Sequence, residues 1–237
     1  MTTNKVVPII ILLLVLVSLS YQGWSLLNQI ACEGQPINNN VTATEAQQIF
    51  GDRLLAQSFT APRPDLNRLD IFFQTYGRRN THDVTLLLYE INDPNTLSLD
   101  GPLHFQATFN ATEIWDQAWR SFYFDPLPDS AGKSYLIVLT SPESTDGNAI
   151  TVGGIERNSY LPGTAFLGPA PVPADITFRS CYQMPVGEKL VVLANQLTHD
   201  RAGLWGQPAF YGIMLELYGL TLIGLLGLLF KRLNFWQ

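Results

Sequence analysis

Three histidines, two cysteines, twenty carboxylates and a spread of aromatics are the groups in this 237-residue chain that could do chemistry. His82, His104 and His199 lie in separate segments, without the spacing that lets imidazoles share a metal ion. No Gly-x-Ser-x-Gly elbow offers a nucleophile. Gly132-Lys133-Ser134 has the last residue types of a phosphate-binding loop. Leu127 stands where that loop needs glycine, however, and the strand-like YLIVLT follows where a helix N-terminus should face the phosphate. The expectation is a protein that is not an enzyme and holds no cofactor.

Two weaker constellations concern binding. Asp93, Asn95 and Asp100 in one loop, or Asp125 and Asp129 in another, carry the hard oxygen ligands that Ca²⁺ takes. The competing role is Asx-type turn formation, in which the same oxygens cap the backbone. A glycan site needs aromatic platforms for the apolar face of a sugar beside planar hydrogen-bonding groups. Tyr76, Trp115, Trp119, Tyr123 and Tyr160, with Arg78, Arg79 and Asn80 in the YGRRN turn, supply both types. Trp115 and Trp119 serve equally well as a plug for one end of a core, and Arg78 and Arg79 as surface partners of nearby acids.

The elements that must carry these groups begin with two apolar runs, Val6 to Leu27 and Ala209 to Phe230. Each has about 22 residues, roughly 33 Å as helix and enough for a ~30 Å hydrocarbon core. Lys5 before the first run and Lys231 and Arg232 after the second put both termini in the cytoplasm and the middle outside, a two-pass protein of the cell membrane. Tyr21, Trp24, Trp205, Phe210 and Tyr211 would mark the outer interface, and Phe235 and Trp236 the inner one. A cleaved signal peptide and a lipoprotein box at Gln29-Ile30-Ala31-Cys32 compete for the first run. The run is long for a signal peptide, and no small-x-small site follows it closely. Within the second run, Glu216 is costly in hydrocarbon unless it lies near the interface, is protonated or faces a partner. Gly212, Gly219, Gly224 and Gly227 form a small-residue face suited to close helix approach, so other integral membrane subunits are the expected partners.

Cys32 and Cys181 stand at the two ends of the exported segment, and an even count there points to a disulfide between them. The alternative is two buried free thiols. With three basic residues at the membrane flanks and Glu216 in a span, the exterior retains eleven basic against nineteen acidic residues, net −8. Nucleic acid and acidic lipid surfaces are excluded as partners on that balance.

Between these limits, nine β-type runs alternate with turn clusters such as Asn92-Asp93-Pro94-Asn95 and Gly168-Pro169-Ala170-Pro171. They are 54–60, 66–76, 84–91, 103–110, 119–124, 134–140, 149–152, 164–167 and 176–182. Leu69, Ile71 and Phe73 alternate as a half-buried antiparallel strand requires. The predicted fold is an all-β ectodomain, an antiparallel jelly-roll β-sandwich, between two transmembrane α-helices. The cysteines are too far apart for the intersheet bridge of an immunoglobulin-type sandwich. The predicted order is a cytoplasmic N-terminus (1–5), helix (6–27), connector (28–44) and sandwich (45–182), with a helical turn at 45–50. A juxtamembrane segment (183–208), helix (209–230) and cytoplasmic tail (231–237) follow. Lys189 to Leu197 reads as a short amphipathic helix, with a last strand as the alternative.

The stretches LNRLDIFFQTYGRRNTHDVTLLLYE, FDPLPDSAGKSYLIVLTSPES, GNAITV and DITFRSCY resemble a jelly-roll, carbohydrate-binding-like module that recurs in bacterial membrane proteins. That module is sometimes attached to glycosyltransferase-like polytopic segments. The resemblance covers about Gln57 to Tyr182 and implies a fold; a cell-surface glycan ligand follows only by analogy. Two functions are expected: a non-catalytic accessory subunit of a membrane complex or, as the alternative, a membrane-anchored module binding glycan or another cell-surface ligand.

Overall fold

Strand β4 (Leu66–Gln74) organises the fold, because its alternation decides which way everything around it faces. In the computed structural model, Leu69, Ile71 and Phe73 are fully buried in the core, while Arg68, Asp70 and Phe72 point to the opposite face. The described residues are 14, 17–18, 21–25, 27–28, 30–34, 48–155, 162–198 and 201–234, without the side chains of 225–226 and 228–234. They form two compact units, Cys32–Gln183 and a second made of Met1–Ala31 with Met184–Gln237.

The first unit is an antiparallel β-sandwich of two six-stranded sheets. In sheet A, β4 pairs with β7 (Ala118–Leu127) along one edge. Its other edge takes β14 (Phe178–Tyr182) and then β9 (Ile150–Val152). β1 (Cys32–Gly34) continues the sheet beside β14, and β2 (Gln48–Ile49) beside β9. Sheet B runs β12 (Ala170–Val172), β11 (Ala165–Leu167), β3 (Leu55–Thr60), β8 (Ser134–Thr140), β5 (Asp83–Ile91) and β6 (Leu103–Asn110). A two-residue ladder joins β10 (Gly154–Ile155) to β13 (Asp175–Ile176).

Aromatic pairs close the sandwich. Phe59 meets Phe178 at 5.3 Å and Phe73 meets Phe109 at 5.7 Å between ring centroids, each pair bridging the two sheets. Burying each such side chain stabilises by roughly 1.5–3 kcal/mol. Gln57, fully buried, is satisfied: its Nε2 donates to Ser58 O and its Oε1 accepts from Ile176 N. On the outer side of sheet B, Ala56, Leu136, Val138, Ile91 and Phe166 form a satellite cluster, against which Leu97 of the 92–102 loop packs.

The observed elements differ from expectation in several places. The segment expected as a connector over 28–44 contains β1, because Cys32–Gly34 pairs with β14 and extends sheet A, so the sandwich unit starts at Cys32 rather than 45. The turn predicted over 45–50 is strand at Gln48–Ile49, because Ile49 is fully buried and pairs with Ile150. The cluster Asp125-Pro126-Leu127, expected as a turn, extends β7; this edge strand has only β4 as a partner, so a residue lacking N–H is tolerated. Gly168-Pro169-Ala170-Pro171 turns and then re-enters sheet B as β12.

In the second unit, α1 (Val186–Thr198) takes the helical alternative for the 189–197 segment, and α2 (Pro208–Asn234) is a continuous helix of 27 residues. Among the described residues no helix is long and apolar enough to cross a membrane. The predicted first span falls largely outside the described residues. The second coincides with α2, part of whose Leu-rich end lies outside the described side chains. Glu216 is exposed, and a Cβ built on Gly212, Gly219, Gly224 or Gly227 would meet nothing within 4 Å.

Candidate ligand-binding surfaces of the sandwich

The outer face of sheet A carries the densest array of charge and aromatic surface. Register places Arg68 beside Tyr123 on β7 and Cys181 on β14, Asp70 between Ser121 and Arg179, and Phe72 beside Trp119. Cys32 pairs with Cys181 on the next strand, and the two form a disulfide. The Arg68 guanidinium is held by an ion pair and by hydrogen bonds from its two terminal nitrogens. Its Nε lies 3.0 Å from Asp70 Oδ1, and its Nη2 donates to Asp70 Oδ2 at 3.2 Å and to Cys32 Sγ at 2.7 Å. Its Nη1 reaches the Tyr123 hydroxyl at 3.4 Å. One charge-assisted hydrogen bond and the close Nε–Oδ1 approach hold the two side chains together. The Arg179 guanidinium sits over the Trp119 ring, 4.1 Å from its centroid, and Trp119 packs edge-on against Phe72 at 5.4 Å. Burial lowers the Arg179 pKa, with Asp70 opposing and the positive charge of Arg68 adding to the shift.

A second surface lies where the turn after β4 meets the loop before β7. Asp116 Oδ1 accepts from the backbone N–H of Thr75 at 2.7 Å and of Tyr76 at 2.9 Å. These bonds, that from Thr75 foremost, hold its carboxyl below the usual carboxylate range. The clamp holds Tyr76 and Gln117 in left-handed backbone conformations, at φ of 55° and 53°. Non-glycine residues there cost on the order of 1 kcal/mol or more each, and such strain collects at binding sites. Trp115 is 83% and Tyr76 53% exposed, so two large rings stand in solvent on a pinned backbone.

The remaining expected site residues separate cleanly. Arg78 is spent on Thr75 O (3.2 Å) and Thr151 Oγ1 (3.1 Å), and stacks on the Tyr76 ring at 5.6 Å. Arg79 is exposed, whereas Asn80 is buried and withdrawn from any surface ligand. Trp115 does not plug the core, and Trp119 packs on the outer face rather than between the sheets. Tyr160 lies outside the described residues. In the Ca²⁺ loop, Asp93 Oδ1 accepts from Asn95 N and Oδ2 from Thr96 Oγ1, while Asn95 Oδ1 accepts from Thr164 Oγ1. Asp100 accepts from Ser98. The bonds to Asp93 and Asp100 are local turn bonds, and that from Thr164 ties the loop to the segment before β11.

Sequence reasoning missed Arg68, Asp70 and Arg179, although the first two fill polar positions in the Leu69, Ile71, Phe73 alternation. It also missed a charged cluster at Glu90, which accepts from His104 Nε2 (2.9 Å) and lies 3.2 Å from Lys133 Nζ. The His104 hydrogen bond is the main cause that lowers the Glu90 pKa. Beside it, burial first and Glu90 next push the Tyr135 hydroxyl up to about 12. A phenol so weakly acidic stays protonated, so the cluster reads as ion pairing over the end of the core.

A scan of protein-family models gave no match, and neither did a search of curated proteins.

Proposed function

We propose that this chain is a non-catalytic accessory subunit of a bacterial membrane protein complex, with its jelly-roll-type sandwich as an extracytoplasmic cap. The observation that carries the reading is the pairing of the sandwich's two ends. β1 and β14 lie antiparallel with Cys32 opposite Cys181, and the disulfide joins them. The chain therefore enters and leaves the sandwich at one place, as a domain hung from a helical hairpin must, and an exported location lets the bridge persist.

The sequence supplies the anchor: two apolar runs of spanning length with Lys and Arg at their outer flanks. Within the second unit, Trp205, Phe210 and Tyr211 meet edge to face in sequence, with ring centroids 4.9 and 5.4 Å apart, the kind of aromatic group that marks a membrane interface. The open glycine face of α2 is suited to a neighbouring helix. Purification of the intact protein in mild detergent tests this reading. Integral membrane subunits should co-elute with it, and migration as a lone monomer would reject the proposal.

A second reading is favoured by the Tyr76–Trp115 edge, where a carboxylate and backbone strain hold two exposed rings outward. There the sandwich binds a cell-surface glycan through ring stacking. An array of envelope polysaccharides probed with the full chain tests it, with Trp115→Ala as the control that should lose retention.

A further inference from the structure

Arg68, Asp70, Arg179, Trp119 and Tyr123 share the outer face of sheet A, and their charges do not balance. Around Arg179 the neighbouring positions hold two guanidinium groups and one carboxylate, while the next acid along β7, Asp125, is exposed beyond Tyr123. Asp70 pairs with Arg68, at 3.0 Å through Oδ1 and by a hydrogen bond to Oδ2, and its side chain is only 7% exposed; its charge acts on Arg179 without forming an ion pair with it. Among the described residues Arg179 makes no ion pair; its contact is the Trp119 ring. A guanidinium laid on an aromatic face is partly desolvated, and an anion meeting it there is less screened than at an open surface. A local positive excess in a chain of net charge −6 is a selective feature.

Tyr123 extends the face along β7. It is 66% exposed and lies four residues from Trp119 on the same side of the strand, roughly 13 Å away. One monosaccharide is too small to touch both ends. We infer that this face binds a carboxylated oligosaccharide, with a uronate carboxylate received by Arg179 beside Trp119 and a further sugar ring stacked on Tyr123. Arg68 is a positioning residue: it neutralises Asp70 and steadies the Tyr123 hydroxyl, which leaves Arg179 as the group that meets the ligand. The site is separate from the Tyr76–Trp115 edge and independent of how the protein is anchored.

Titration of the intact, detergent-solubilised chain with oligogalacturonate, followed by calorimetry, tests the inference. Saturable binding is expected, weakened about tenfold or more when the ligand is methyl-esterified, because a charged hydrogen-bonded pair is then lost. Arg179→Gln should weaken binding similarly and Tyr123→Ala should weaken it several-fold. Since Tyr123 is exposed, that variant keeps its thermal midpoint and remains informative if Arg179→Gln fails to fold. The inference is overturned if oligogalacturonate does not saturate the protein or if its methyl ester binds equally well. It is equally overturned if oligoglutamate binds as tightly as the saccharide, or if folded Arg179→Gln or Tyr123→Ala retains full affinity.

Discussion

Replacing Cys32 and Cys181 together by alanine removes the bridge between the first and last strands of the sandwich, and the size of the effect can be worked from where it closes the chain. The two residues are 149 apart in sequence, and the chain-entropy relation gives about 5 kcal/mol for a loop of that length. Native bridges deliver about 2–5 kcal/mol when removed, so about 4 kcal/mol is the working figure. For a unit of this size each kcal/mol moves the midpoint by about 3 °C, which predicts a fall of about 12 °C. β1 is only three residues long and relies on the bridge to stay against β14, so its loss should add protease sensitivity near residue 34. Circular dichroism melts of the intact chain with and without reductant, beside the double variant, provide the assay. Reductant should reproduce the fall in the native protein and leave the variant unchanged. A midpoint shift under about 3 °C would refute the reasoning, since the ends would then be held by pairing alone.

Other perturbations follow from single contacts. A Cβ on Gly153 would lie 2.5 Å from Phe72 Cδ1, and Phe72 is itself packed under Trp119, so Gly153→Ala should cost about 1–3 kcal/mol in a urea melt. Asp116 and Glu90 both have carboxyl pKa values lowered in the folded state. Their contribution is fully present above the ordinary values of 3.8 and 4.5 and is lost as pH falls through the lower folded ones. Stability measured across pH 3–6 should therefore decline toward the acid end, and Asp116→Asn should flatten part of that slope. Trp115→Ala should leave the midpoint within about 2 °C, because the ring is largely in solvent, while abolishing any glycan retention at the Tyr76 edge.

The sequence made the sandwich legible wherever burial on one side forced a period of two. The Leu69-Ile71-Phe73 series located β4 within two residues, and the 103–110 and 134–140 runs match β6 and β8. The cysteine pairing was legible because there were only two. What failed was set by partners distant in the chain. Gln48–Ile49 is strand only because Ile150 lies opposite, and Pro126 is admitted to β7 only because that strand is at an edge. The site showed the same division. Aromatic residues announced themselves by type, but their fates depended on neighbours: Trp119 received Arg179 and Phe72, while Trp115 received none of that packing and stands exposed. Asn80 looked like a surface hydrogen-bonding group and is buried, since the turn that presents Tyr76 outward folds Asn80 inward.

Where the sandwich resides decides the account. A membrane-impermeant amine reagent applied to sealed cells, followed by peptide mapping, reads this from Lys133, whose side chain is 42% exposed. Labelling of Lys133 in sealed cells, with Lys231 labelled only after lysis, is the predicted result. Lys133 protected until the cells are broken would contradict it.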